Sequence, residues 1–292
     1  MQRVNEKNNV RVVFMQYKGS DHTFVICAYK ESPFLEECIV SLKKQNIQSH
    51  IILVTSTPNS LIQSLTDEYE IPFYINTKEK GITQDWNFGM ECARTSLVTI
   101  AHQDDTYEPQ YVETMLREVS RAKQPLIFFS NYGELREGKK VDENKLLKVK
   151  RLMLKPLEVS AFWNSIFVRR RILSLGAPIC CPSVTYAKNN LKLPVFQAGF
   201  RSCEDWEAWE KLSREKGSFV YSKEILMHHR IHAGSETSII LGDSARKAED
   251  YQMFCKFWPE FLAKILVRIY STSEKSNELG KNEKPDYYSC LQ

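Results

Sequence analysis

Two adjacent carboxylates, Asp104 and Asp105, end the run Leu97-Val-Thr-Ile-Ala-His-Gln. A β-branched apolar run of this kind reads as a buried strand of a parallel sheet. In open α/β sheets, ligands gather outside the carboxyl ends of the strands. Hard divalent cations take carboxylate oxygens and share them with substrate phosphates, so the pair suits a metal–diphosphate site. The competing reading is a solvated turn opening a helix, where Asp is favoured.

Two more groups of residues could do chemistry. The stretch Cys203-Glu-Asp-Trp-Glu-Ala-Trp-Glu-Lys-Leu212 reads as a helix in which Asp205, Ala208, Trp209 and Leu212 share one stripe. Asp205 then faces inward or into a cleft at the helix start, where the dipole favours its ionised form. Such a carboxylate can accept a proton from a hydroxyl, although a first-turn charge also occurs for stability alone. The stretch Met227-His-His-Arg-Ile-His232 holds three of the six histidines. On a helix, His228 and His232 share a face; on a strand, His228 and Arg230 share one and His229 takes the other. Imidazole is a good ligand for transition metals such as Mn²⁺.

The elements that must position these groups alternate. Residues 23–28, 50–55, 72–75 and 97–102 read as strands. Between them, Ser32-Pro33 opens a helix carrying Leu35, Ile39 and Leu42, Asn59 caps a second with Ile62 and Leu65, and Trp86, Met90 and Ala93 mark a third. Pro109 opens a further helix, and residues 126–129 form another strand. This order calls for a parallel sheet with right-handed crossovers. No GxGxxG follows the first strand and no GxxxxGK[ST] occurs, which disfavours a classical dinucleotide fold and a P-loop enzyme. From 130 to 200 the pattern weakens. Arg136 to Lys155 holds eight basic and three acidic residues, and Arg169-Arg170-Arg171 adds a second basic run. Such runs read as solvated faces or as a surface toward an anionic acceptor or anionic lipid.

Composition excludes other classes. The net charge of +4 is too small to argue for nucleic acid. The eight cysteines form no CxxC pair, and no apolar run approaches the length of a membrane span. With no signal peptide visible, a cytoplasmic location is the expectation, with peripheral contact at the inner face of the membrane left open. Phe261, Ile265, Leu266 and Ile269 are expected on one helical face, with Lys264 and Arg268 on the other. That helix suits a membrane surface, its own domain or a second subunit.

The order of these motifs resembles the family 2 glycosyltransferases. It runs from Ala28-Tyr29-Lys30-Glu31 to Trp86-Asn87-Phe88-Gly89, Gln103-Asp104-Asp105, Glu204-Asp205-Trp206 and His229-Arg-Ile-His-Ala-Gly-Ser235. The resemblance covers about residues 22 to 240 and implies the GT-A fold: a Rossmann-like, mostly parallel central sheet flanked by helices, with a C-terminal helical acceptor region. The implied segments are an N-terminal extension (1–21), a nucleotide-sugar half (22–132), an acceptor and catalytic half (133–240), C-terminal helices (241–270) and a flexible tail (271–292). The implied activity is inverting transfer of a sugar from a nucleotide-diphosphate sugar, most often a UDP-sugar, to a glycan, lipid-linked or glycoprotein acceptor, with Mn²⁺ or Mg²⁺. By position, Asp105 would bind the metal, His232 would complete the metal or diphosphate site, and Asp104 would reach the donor ribose or sugar. Asp205 would be the base, supported by Glu204, and Ala28, Tyr29 and Glu31 would border the nucleotide. Two departures stand out. Thr55-Ser56-Thr57 replaces the acidic residues that follow the second strand in relatives, leaving Thr55, Asp85 or Asn87 to contact the base of the nucleotide. Gln103 stands where many relatives have a further Asp. A metal-dependent hydrolase built on His228, His229, His232 and the aspartates, and a non-catalytic sugar-nucleotide-binding module, are the competing functions. A homo-oligomer is left open.

Overall fold

The computed structural model describes residues 16–232 and 244–274. Residues 233–235 at the end of the last motif, most of the expected tail and most of the expected N-terminal extension lie outside the described residues.

Four strands form the parallel part of the sheet: β1 (His22–Ala28), β2 (His50–Thr55), β3 (Phe73–Ile75) and β4 (Leu97–His102). β1 lies between β2 and β4, with Val25 opposite Ile52 on one side and Ile100 on the other. Phe24, Val25, Ile26, Val54, Val98 and Ile100 are fully buried. Burial on both faces explains why these strands read as continuous apolar runs rather than alternating ones. The crossovers are α1 (Leu35–Lys43), α2 (Ser60–Glu68) and α3 (Ile82–Cys92). Asn59 caps α2 as expected, its Oδ1 accepting from the Ile62 N–H at 3.0 Å. Ser32 does not cap α1: its hydroxyl accepts from Phe34 N–H at 3.3 Å in a turn that precedes the helix.

The remaining strands complete a nine-stranded sheet of order β3-β2-β1-β4-β8-β6-β9-β5, with β7 paired to β6. They are β5 (Thr106–Tyr107), β6 (Pro125–Arg136), β7 (Lys139–Val141), β8 (Thr185–Ala187) and β9 (Ser218–Ile231). β8 runs antiparallel to β4, while β9 runs parallel to β6. The sheet therefore changes direction beside β4, the kind of position where α/β sheets bind ligands. The other helices are α4 (Tyr111–Arg121), α5 (Lys145–Leu154), α6 (Ile166–Leu173), α7 (Glu204–Leu212), α8 (Ser244–Cys255) and α9 (Glu260–Glu274).

Several expectations are revised. The strand expected at 126–129 is part of the twelve-residue β6, so the division expected between residues 132 and 133 falls inside a strand. The basic run at 169–171 is not one solvated face. Arg169 is buried and donates to the carbonyls of Ser213, Glu215 and Gly217 just beyond α7, and Arg170 pairs with Glu210. Only Arg171 is exposed. In α9, Ala263, Leu266, Val267 and Tyr270 face the core. Leu266 therefore lies opposite Phe261, Ile265 and Ile269, which share the outward stripe with Lys264 and Arg268.

Gly89 shows how tightly α3 sits on the sheet. A Cβ there would lie 2.5 Å from Val25 Cγ1 and 3.3 Å from Val54 Cγ2. Alanine gains about 1 kcal/mol of helix propensity over glycine, but these buried β-branched methyls cannot swing away. Gly89→Ala is expected to destabilise by about 1–3 kcal/mol, seen as a lower thermal midpoint; an unchanged or higher midpoint would refute this packing.

Candidate active site

The acidic pair stands at the carboxyl end of β4, as its position after an apolar run predicts. Asp105 is fully buried. Its Oδ1 accepts from the Arg230 backbone N–H at 2.8 Å and lies 3.0 Å from His229 Nδ1. Its Oδ2 is buried with no hydrogen-bond partner, 3.8 Å from His102 Nδ1. Asp104 is more accessible, and its Oδ2 lies 2.8 Å from His232 Nε2. β9 delivers these partners as a strand, not a helix, so its side chains alternate. His229 points to Asp105. Arg230 turns the other way, donating to the Asp104 carbonyl at 2.7 Å, pairing with Glu37 and lying over the Phe34 ring. His228 leaves the site: its ring nitrogens lie 3.1 Å from Glu108 and 2.8 Å from Asp142. The three histidines expected of a hydrolase centre are thus divided between two places.

Electrostatics separates the roles further. Burial lowers the His102 imidazole below its ordinary value, against the pull of Asp105 and Asp104, so the ring is neutral at pH 7 and keeps a lone pair. Burial also opposes ionisation of Asp104, but the His232 hydrogen bond first, and then the surrounding imidazoles, hold its carboxyl below the usual range. His229 is desolvated too, yet the Asp105 carboxylate wins and raises it to about 8. His102, Asp104 and Asp105 each offer a ligand atom, all within 4.8 Å of one another, a set that could hold a metal ion. Sequence reasoning missed His102 as a site residue by counting it with the strand. Its place two residues before Asp104 was the available signal, and the flat stacking of its ring on Trp86, at 5.5 Å and 13°, holds it there.

The loop after β1 forms one wall. Ala28 is buried, while Tyr29 and Glu31 are exposed. Gln103 clamps this loop with two bonds: its Oε1 accepts from Tyr29 N–H at 3.0 Å, and its Nε2 donates to Tyr29 O at 2.9 Å. The Lys30 N–H donates to Thr57 Oγ1 at 2.6 Å, and Lys30 adopts a left-handed φ of 56°. Gln103, a departure from relatives in the sequence, is therefore the tie between two site loops. Gln103→Ala is expected to weaken nucleotide binding several-fold with little change in global stability, measured by calorimetry with UDP; unaltered affinity would mean the loop holds its shape without the clamp.

Three residues expected at the nucleotide base are committed elsewhere. Thr55 is fully buried, its Oγ1 accepting from Thr57 N–H at 3.0 Å. Both Asp85 oxygens are taken, by Ser56 Oγ and Asn76 Nδ2, each at 2.7 Å. Asn87 spends its amide on the Phe196 backbone, at 2.8 and 3.2 Å. These side chains brace the ends of β2 and α3, as buried polar atoms must find partners inside the fold. Thr57, one residue beyond Ser56, is the hydroxyl that reaches the loop.

Asp205 and Glu204 occupy the first turn of α7. Glu204 is buried. The expectation that the helix dipole keeps Asp205 readily ionised is reversed in balance: desolvation raises its carboxyl to about 6, and the Trp206 N–H, Arg246 and Lys150 only partly oppose this. The Cys180 thiol, pushed up by burial, also feels the negative charge of both Asp105 and Asp205. Both carboxylates therefore lie within electrostatic reach of the same buried residue. A cation-ready acidic pair and a carboxylate poised near neutrality can between them hold a diphosphate and deprotonate a hydroxyl.

The comparisons fit this arrangement. The family model described as Glycosyl transferase family 2 matches residues 23–175. No curated protein matches the sequence significantly. Among solved structures, the S. aureus TarS fragment 1–349 is 10% identical, with a TM-score of 0.56 over 88% of this chain and 72% of that one. The same fragment solved with UDP-GlcNAc is 12% identical, with a TM-score of 0.56 over 88% and 73%. Mannosyltransferase PcManGT from Pyrobaculum calidifontis, in complex with GDP-Man and Mn²⁺, is 12% identical, with a TM-score of 0.59 over 90% and 72%. At such identities the likeness to solved structures speaks for the fold, and the family match speaks for the activity: the chain belongs to glycosyl transferase family 2 and is a glycosyltransferase with the GT-A architecture.

Proposed function

We propose that this enzyme transfers a sugar, with inversion, from a nucleotide-diphosphate sugar to a hydroxyl of a glycan, lipid-linked or glycoprotein acceptor in the cytoplasm. The observation that carries the proposal is the orphaned, buried Asp105 Oδ2 beside neutral His102, with Asp205 close enough for its charge to raise the same Cys180 thiol that Asp105 raises. A buried carboxylate oxygen without a donor is costly unless a cation meets it. Mn²⁺ or Mg²⁺ fits a set of two carboxylates and an imidazole. When bound, such an ion would offset the charge that develops on the departing diphosphate.

The chain's own residues supply the rest. Asp205, deprotonated above about pH 6, takes the proton of the attacking hydroxyl, and Glu204 beside it supports the acceptor. His232 and His229 orient Asp104 and Asp105. Asp104 faces the donor ribose or sugar, and Tyr29 and Glu31 border the nucleotide. UDP-sugars are the first donor class to test. The solved relatives carry UDP-GlcNAc and GDP-Man, both nucleotide-diphosphate sugars.

The test is thermal unfolding with UDP, GDP, CMP and dTDP, each with and without Mn²⁺. A ligand at about 100 times its dissociation constant stabilises by about 2.7 kcal/mol. A metal-dependent rise with one nucleoside diphosphate is the expected result. No rise with any of the four would refute the reading.

A further inference from the structure

Helix α9 is apolar on both sides. Its inner stripe, Ala263, Leu266, Val267 and Tyr270, packs on the core. Its outer stripe exposes Phe261 at 65%, Ile265 at 52% and Ile269 at 62%. A helix at the edge of a domain ordinarily turns a polar face to water. Here Lys264 and Arg268 sit within the apolar stripe, at the i+3 and i+7 positions from Phe261. The neighbouring α6 adds to the same surface. Its exposed Phe167 lies against the Arg171 guanidinium, which also covers the Trp258 ring just before α9. Trp258 Nε1 donates to Ser174 O at the end of α6, at 2.7 Å.

We propose that this α6–α9 face seats the enzyme on an anionic lipid bilayer. Apolar side chains interleaved with cations match an interface in which acyl chains take the former and phosphate headgroups the latter. Long basic side chains can lie along apolar surface and keep their charge at headgroup level. A second copy of the chain is a poorer occupant. A two-fold contact brings the same patch against itself, setting Lys264 and Arg268 against their counterparts with Glu260 as the acid of that stripe. The position also has a consequence for the reaction. Tyr270, on the inner side of α9, lies 5.8 Å from the Trp206 ring, and Trp206 directly follows Asp205. The bilayer would then lie one helix layer from the base, which selects a lipid-anchored acceptor; this last step rests on the transferase reading above.

The experiment is flotation of the full chain with vesicles of phosphatidylcholine alone or of phosphatidylcholine with an equal part of phosphatidylglycerol. UDP–Mn²⁺ binding is measured on the same samples. The wild type is expected to float with the anionic vesicles only, and less so as salt is raised. Lys264→Gln with Arg268→Gln is expected to lower partitioning about 25-fold, about fivefold for each cation removed. Phe261→Ser with Ile265→Ser is expected to abolish flotation while the thermal midpoint and UDP binding stay at the wild-type level. A wild type that stays with the pellet, or floats equally with neutral vesicles, overturns the proposal. So does a dimer in sedimentation equilibrium that Ile265→Ser dissociates in a chain that no vesicle recruits. A wild type that binds UDP–Mn²⁺ but does not float refutes the docking alone, whereas a wild type that floats but binds none of the four nucleotides with Mn²⁺ refutes the nucleotide-sugar reading and leaves the docking standing.

Discussion

Asp205→Asn is expected to lower turnover by about 10²-fold or more, the scale of losing a general base, and at the same time to make the protein more stable. The Asp205 carboxyl titrates at about 6 in the fold because burial disfavours its charge. In the unfolded chain it titrates near the ordinary value of about 4. Between these pH values the folded state binds more protons than the unfolded one, so stability falls as pH rises through that window. Above it the charged carboxylate costs the fold about 3 kcal/mol, a cost that neutral Asn does not carry. The variant should therefore unfold at a higher temperature than wild type at pH 7.5 and at nearly the same temperature at pH 4. The wild-type rate should fall on acidification through about pH 6. UDP affinity should be unchanged, since donor binding does not use the base. A variant with wild-type turnover would remove Asp205 as base, and one less stable at pH 7.5 would show that its charge is welcomed rather than tolerated.

Asp105→Asn carries the second large effect. The amide oxygen of Asn can still accept from the Arg230 N–H, so the strand pairing survives. What it cannot supply is an anionic oxygen at the orphaned Oδ2 position. The gain in UDP affinity that Mn²⁺ confers is expected to drop by about 10²-fold or more, beyond the 10–100-fold typical of residues that merely orient a ligand. Asp105→Ala is harsher. It leaves the Arg230 N–H and the His229 imidazolium facing a void and should cost about 3 kcal/mol or more of stability, read from urea unfolding. Asp104→Asn is the control. If it abolishes the metal effect while Asp105→Asn spares it, the ligand role passes to the more accessible carboxylate, and Asp105 becomes the anchor between β4 and β9.

The two predictions differ in what made their residues visible. Asp104 and Asp105 were legible because a buried parallel strand announces itself as an unbroken apolar run, and the carboxylates that end it must lie at the sheet's carboxyl edge. The cap at Asn59 and the face of α7 were legible for the same kind of reason: helical spacing and capping act over a few residues. The histidine cluster was ambiguous, because its spacing suits a helix and a strand alike. It resolved as a strand when β9 paired with β6 over its whole length, a choice made by a partner some 90 residues away. That pairing sent His229 to the acidic pair and His228 to Glu108 and Asp142.

By itself the sequence determined the order β-α-β-α, the place of the acidic pair, the helix that carries Asp205 and, through the motif order, the family. The tertiary structure alone decided which polar atoms remain available for chemistry. Asn87 and Phe196 lie 109 residues apart, and Gln103 and Tyr29 lie 74 apart. Whether such a side chain faces a ligand or braces the backbone depends on who sits opposite it, and local spacing carries no record of that. The pKa of Asp205 is likewise a product of packing. The helix dipole is written in the chain, but the burial that outweighs it arises only when the chain folds around the start of α7. The outward face of α9 follows the same rule: periodicity revealed its apolar residues, and only the packed core showed which of them were left outside.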